Sequence, residues 1–188
     1  MHDAIASWRA DHGDYSRLLD VLEEQVTAFH AGRAPDYNLM RDVVSYLRHF
    51  PDRYHHPRED AAFTCLLRLD PNLRLPINRL LQEHCVIAVA GEELLNQLNE
   101  VDAEAVVERA SLEAAAAVFL VYYRHHMATE EKEILPRCAT MLTPDDWRIV
   151  GSAAPSAHDP LFGDGFDERY AELRKHIASR SESPRGSS

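Results

Sequence analysis

Apolar side chains recur every three or four residues along most of this chain, and Val, Ile and Thr are nowhere grouped into alternating runs. That spacing admits amphipathic helices and leaves no segment that reads as a strand. The expected first helix runs from about Ala4 to Ala31, with Trp8, Tyr15, Leu19, Leu22, Val26 and Phe29 on one stripe and Gly32 as its stop. A second begins near Asp36, passes through Val43, Val44, Leu47 and Phe50, and ends about Leu69. Pro51 and Pro57 fall inside it; each removes a helical hydrogen bond, so a kink or bulge is expected there. A third helix covers roughly Leu73 to Asn99, and a fourth lies between about Ala105 and Arg137, ended by Pro136 and its neighbours. Four long helices with short links predict an all-α, up-down-up-down four-helix bundle over residues 1–140. Beyond it, Thr143-Pro144-Asp145-Asp146 reads as a cap opening a short helix. A Pro/Gly-rich link from Gly151 to Gly165 then leads to a last helix, about Phe166 to Ala178. Residues 141–178 thus form a C-terminal helical extension, and 179–188 a disordered tail.

A length of 188 residues suits one domain. Twenty Lys and Arg stand against 31 Asp and Glu, a net charge of -11 that repels phosphate backbones and anionic lipid, so no nucleic-acid partner is expected. The longest apolar run, Ala114 to Tyr123, is far shorter than the roughly 20 residues that span a bilayer. The acid-bearing N-terminus is no secretory signal, so the expectation is a cytoplasmic chain without membrane contact. Cys65, Cys85 and Cys138 contain no CxxC pair, which suggests small buried hydrophobes rather than a disulfide framework or a thiolate zinc site.

The chemistry lies in the histidines, eleven in all, several of which sit on the apolar stripes of different helices. At 100° per residue, His12 shares the stripe of Trp8, Tyr15 and Leu19, and His84 that of Ile77, Leu80 and Ile87. His126 aligns with Phe119, Tyr122 and Tyr123, and Glu130 follows only about 40° away around the axis. Glu131 and His125 compete less well, each about 140° from the partner it would need. His55 and Glu59 repeat the HxxxE spacing, with His56 in the same arc if the helix survives Pro57. His2, His30, His49, His158 and His176 read as solvent-facing or structural.

Antiparallel neighbours can share a site only where residues lie equally far from the loop that joins them. His12 and His55 are each about 19 residues from the first loop, and Glu59 and His84 each about 11 from the second. Across the third loop the match between His84 and His126 depends on where the fourth helix begins. The result is a cluster of four or five imidazoles and two carboxylates inside an apolar bundle. Buried ionised carboxylates cost several kcal/mol each unless paired or metal-bound. Mixed imidazole and carboxylate donors suit iron, zinc or manganese, and the number of donors exceeds the needs of one tetrahedral zinc. Two metals bridged by Glu59 and Glu130 fit best.

These stretches resemble the hemerythrin-like HHE cation-binding domains, stand-alone bacterial type. The likeness rests on ADHGDYSRLLDVLE around His12, DRYHHPREDAAF around His55 to Glu59, LLQEHCVI around His84, and YYRHHMATEEKEILP around His126 to Glu130. The resemblance implies a non-haem centre of two iron ions, held by His12, His55, Glu59, His84, His126 and Glu130. Oxygen-carrying members place a further histidine four residues after the one on the third helix, where this chain has Ala88. His56 is the candidate replacement for that nitrogen; otherwise one iron keeps a solvent position.

Three function classes follow. One is a redox-active di-iron protein acting on oxygen, peroxide or nitric oxide with electrons from an unknown reductant. Another is a binding module, for iron or oxygen sensing or metal storage, without turnover. The third is a zinc bundle whose metal serves stability alone. Tyr15, Tyr122 and Tyr123 lie near the expected ligands, as aromatic packing or as donors to a bound oxygen species.

Overall fold

The computed structural model describes residues 2–103, 107–156, 158–163 and 167–181. Among these, every regular element is helical. The first bundle rod is α1 (His2–His30), and the second is α2 (Tyr37–Phe50), a π-helical turn (Pro51–His55) and α3 (His56–Leu69). After a 3₁₀ turn (Pro71–Leu73) comes α4 (Arg74–Asp102), and the fourth rod is α5 (Arg109–Thr129), a second π turn (Glu130–Ile134) and α6 (Leu135–Met141). The first and third rods each touch the second and fourth, giving the expected up-down-up-down bundle.

Local chemistry sets the ends of these rods. Gly32 adopts φ 76°, and the amides of Gly32 and Arg33 donate to the carbonyls of Phe29 and Ala28, a Schellman stop that only a residue free of Cβ enters readily. The Asp36 side chain accepts from the Leu39 amide to open α2, and Asp70 accepts from the Asn72 amide at the next corner.

Both π turns lie two residues ahead of a proline, Pro57 in one case and Pro136 in the other. The missing N–H and the ring disfavour the ordinary i−4 bond, and the ladder shifts to i−5: His56 N–H donates to Pro51 O, and Leu135 N–H to Glu130 O. The expected bulge at Pro51 and Pro57 is present. The expected stop at Pro136 is not, because a proline in the first turn of a new helical segment costs no bond, and α6 carries the rod on to Met141. The expected start of that rod near Ala105 falls outside the described residues; Val107 and Glu108 are not helical, and α5 opens at Arg109.

Two apolar clusters fill the bundle. One gathers Tyr15, Leu18, Leu22, Val43, Tyr46, Ile87, Phe119 and Tyr123, and the other Ile5, Trp8, Phe63, Leu66, Ile77, Leu80, Ile134 and Cys138. Between them lies a polar layer. Cys65 and Cys138 are buried as expected, but Cys85 is exposed, since it points outward on the α4 surface beside Val89.

Two further helices brace the bundle: α7 (Pro144–Ser152), opened by a Thr143–Asp146 capping box, packs on α3, and α8 (Ala171–Ser181) packs on α2 and α1. The link to α8 is pinned by Asp159, which accepts from Tyr46 Oη at 2.6 Å and from the amides of Leu161 and Phe162. The expected start at Phe166 lies outside the described residues. A 3₁₀ turn (Glu168–Tyr170) leads into α8, which runs three residues into the stretch expected as tail; 182–188 lie outside the described residues.

Candidate metal centre

The polar layer is built where the two HxxxE units meet the helices opposite them. In an undisturbed helix His55 and His56 would diverge by about 100°. The π turn ending at His55 adds a residue to the turn, and both imidazoles face inward beside Glu59, with His55 4% and His56 6% exposed. His12 comes from α1, His84 from α4 and His126 from α5, while Glu130 opens the second π turn. All seven residues expected from the sequence are buried in this layer, and both glutamates are fully enclosed.

The donors fall into two groups that share Glu59: His56, Glu59, His84 and His126 in one, His12, His55 and Glu59 in the other. Glu59 Oε1 lies 3.0 Å from His55 Nε2 and 3.5 Å from His12 Nε2, while its Oε2 lies 3.6 Å from His84 Nε2. Glu130 repeats the arrangement: Oε2 is 3.6 Å from His12 Nε2, and Oε1 is 3.2 Å from His126 Nε2 and 3.9 Å from His84 Nε2. Each carboxylate therefore offers one oxygen to each half. The His12 and His55 Nε2 atoms approach to 3.2 Å, and the His56 ring stacks on His84 with centroids 4.3 Å apart.

The opposite ring nitrogens form a second pattern. His12 Nδ1 meets Glu131 Oε1 at 3.2 Å, His55 Nδ1 meets Asp11 Oδ2 at 3.0 Å, and His56 Nδ1 meets Asp52 Oδ1 at 2.9 Å. His84 Nδ1 meets Asp60 Oδ1 at 2.8 Å, and His126 Nδ1 faces Glu83 Oε2 at 3.4 Å. A carboxylate on the outer nitrogen fixes the tautomer and aims the inner one, as around bound metals. Sequence reasoning missed four of these acids and weighed Glu131 only as a competitor of Glu130, although four of the five adjoin a predicted donor: Asp11 beside His12, Asp60 beside Glu59, Glu83 beside His84 and Glu131 beside Glu130. The neighbour of an inward residue points about 100° around the axis, toward the next rod, and so supports that rod's histidine. Only Asp52 serves its own rod, and Arg48 clamps it in an ion pair.

Electrostatics follow from the enclosure. Burial alone would lower the imidazoles, but Glu59 and Asp11 hold His55 up at about 10. Against the same burial, Asp60 and Glu59 hold His84 at about 10, and Glu130 and Glu83 hold His126 at about 9. Burial and the nearby charge of His84 push His56 well below the ordinary imidazole value. Glu59, which burial would raise, is held well below the usual carboxylate range by His55 and His12. Burial and the charges of Glu59 and Glu130 push the Cys138 thiol up to about 12, which keeps it a thiol.

These residues fit a bound cation. Both oxygens of Glu59 and of Glu130, and the Nε2 atoms of His84 and His126, are enclosed without a well-formed hydrogen bond, although nitrogen–oxygen separations run from 3.0 to 3.9 Å. Orphaned polar atoms of this kind cost stability unless something coordinates them. Nitrogen and oxygen donors without thiolate suit iron, manganese or zinc.

Other candidates fall outside the layer. His125 is 47% exposed and lies 3.0 Å from an Arg79 nitrogen, and Tyr122 is on the surface, 40% exposed, one residue and about 100° from the buried Tyr123. His30, His49 and His158 are exposed and His176 is half-buried, while the His2 side chain lies outside what is described. No helix among the described residues is long and apolar enough to cross a membrane.

Among curated proteins, the chain is similar to a component of eukaryotic translation initiation factor 3 of Candida glabrata, 20% identical over 186 residues, covering 92% of this chain and 21% of that protein. The chain spans about a fifth of that relative's length, and at this identity the likeness assigns no family. No solved structure matches the chain significantly. The family model of the hemerythrin HHE cation-binding domain matches residues 3–138, which contain every inward-facing donor described above and every acid behind them. With a metal-binding family matched over most of its length and a buried His/Glu cluster at the matched positions, the chain belongs to the hemerythrin HHE cation-binding domain family.

Proposed function

We propose that this chain is a non-haem di-iron protein that binds or reduces a small oxidant: oxygen, peroxide or nitric oxide. The observation that carries the reading is the two-sided use of Glu59 and Glu130, each with one oxygen toward His12 and the other toward His84. One half has three imidazoles, His56, His84 and His126, and the other has two, His12 and His55. His56 supplies the nitrogen that Ala88 lacks, from the second rod instead of the third. Two irons held there would provide a reducible centre. The chain itself would contribute carboxylates that balance changing metal charge, imidazoles aimed by outer acids, and apolar clusters on either side of the layer. Residues 1–140 are proposed as the metal-binding bundle and 141–178 as a brace on it.

Elemental analysis of protein purified without added metal, with absorption spectra before and after reduction, tests this reading. About two irons per chain and a reducible charge-transfer band are expected, since iron has partly filled d orbitals and zinc does not. One zinc per chain and no visible band would overturn it. Steady-state peroxide consumption would separate turnover from binding alone.

A further inference from the structure

Two buried tyrosines at the centre have no role in the metal-holding set. Tyr15 and Tyr123 are 1% and 0% exposed, and among the described residues neither hydroxyl has a hydrogen-bond partner. The contrast with Tyr46 is informative: equally buried, it donates a hydrogen bond to Asp159. Buried phenol oxygens ordinarily find a partner. These two stand where the larger apolar cluster meets the polar layer. The Tyr15 ring lies edge-on to His55, centroids 5.3 Å apart, and 6.4 Å from His12. The Tyr123 ring centroid lies 6.3 Å from that of His56, and the two tyrosine rings meet edge-on with centroids 6.3 Å apart.

A phenol ordinarily titrates far above neutral pH, so each keeps its proton and is a donor. Two neutral O–H donors enclosed together, with no acceptor among the described residues, select for a ligand that carries lone pairs and negative charge. Tyr15 lies against the pair His12 and His55 and Tyr123 against His56, so the two phenols flank both halves of the centre.

We infer that Tyr15 and Tyr123 form a donor pair for a small anionic ligand of two or three heavy atoms bound at the centre. The inference rests on the di-iron reading. The pair fixes which exogenous ligand stays bound; it does not hold the metal.

The test uses the full chain, wild type and the variants Tyr15→Phe, Tyr123→Phe and the double variant, each loaded with iron and oxidised. Iron content is measured first, and azide is then titrated while its charge-transfer absorption is followed. Each single variant should keep the wild-type iron content and bind azide about tenfold more weakly, the usual effect of one lost hydrogen bond to a charged group. In the metal-free chain the same substitutions should leave the melting temperature unchanged or raised, because each deletes an unpartnered buried polar group. Azide affinity within twofold of wild type at full iron content overturns the tyrosine assignment alone. Loss of iron from a variant also overturns it, since the phenol would then belong to the metal-holding set. A wild-type chain that takes up no iron overturns both this inference and the reading beneath it.

Discussion

At the scale of single residues, the centre depends on acids that never reach its interior. Asp60 holds His84 Nδ1 at 2.8 Å while itself half exposed to solvent, so Asp60→Asn should remove an anionic acceptor without opening the core. The expected result is metal affinity lowered about 10- to 100-fold in a chelator competition, with the apolar packing intact. The imidazoles also tie metal uptake to pH. His55 and His84 are held up at about 10 and His126 at about 9, all above the ordinary 6.5, so the metal-free chain carries these protons at neutral pH. Their contribution to the metal-free fold is complete below about pH 6.5 and is lost as pH rises through 9 to 10. Metal displaces the same protons, so affinity should climb over that interval. A titration in weakly buffered solution should release about three protons per chain at pH 7. Release of none would show that the imidazoles are already neutral.

Among the elements, the second and fourth rods share one device: a π turn, two residues ahead of a proline, at an HxxxE unit. In the second rod the device was legible, because Pro51 and Pro57 sit mid-stretch in an otherwise unbroken apolar pattern. In the fourth, Pro136 reads equally well as a stop or as the first turn of a new segment, and only packing against α3 distinguishes the two. Close packing between rods also explains Gly91 on α4. A Cβ there would come within 2.8 Å of Phe119 Cε2 and closer still to the Arg48 side chain, which clamps Asp52 behind His56. Gly91→Ala should therefore destabilise the metal-free protein by about 1–3 kcal/mol in denaturant unfolding. Because Arg48 must shift, the substitution should also weaken metal binding, which a change of helix propensity alone would not do.

At the level of the whole molecule, a layer of five imidazoles and two carboxylates divides the core into two apolar clusters, so metal and fold are coupled. With metal a thousandfold above its Kd, binding adds about 4 kcal/mol to stability. A chain of this size should then melt about 8–16 °C lower after chelation, measured by thermal denaturation with and without added iron. An unchanged melting temperature would mean that the cluster holds no ion in the folded protein. What could be read without coordinates was the helix count, the antiparallel order and the burial of seven His and Glu side chains, because apolar spacing at 3.6 residues per turn and equal distances from a loop are properties of chain order. What could not be read was how the fourth rod passes Pro136, that Tyr122 turns outward, and which acid stands behind which histidine. Those outcomes depend on the rotation of one rod against its neighbour. Asp11, Asp60, Glu83 and Glu131 each serve a histidine on a different rod, and no spacing along a single helix specifies that angle. Periodicity determined which side chains enter the interior; packing between rods decided whom they meet there.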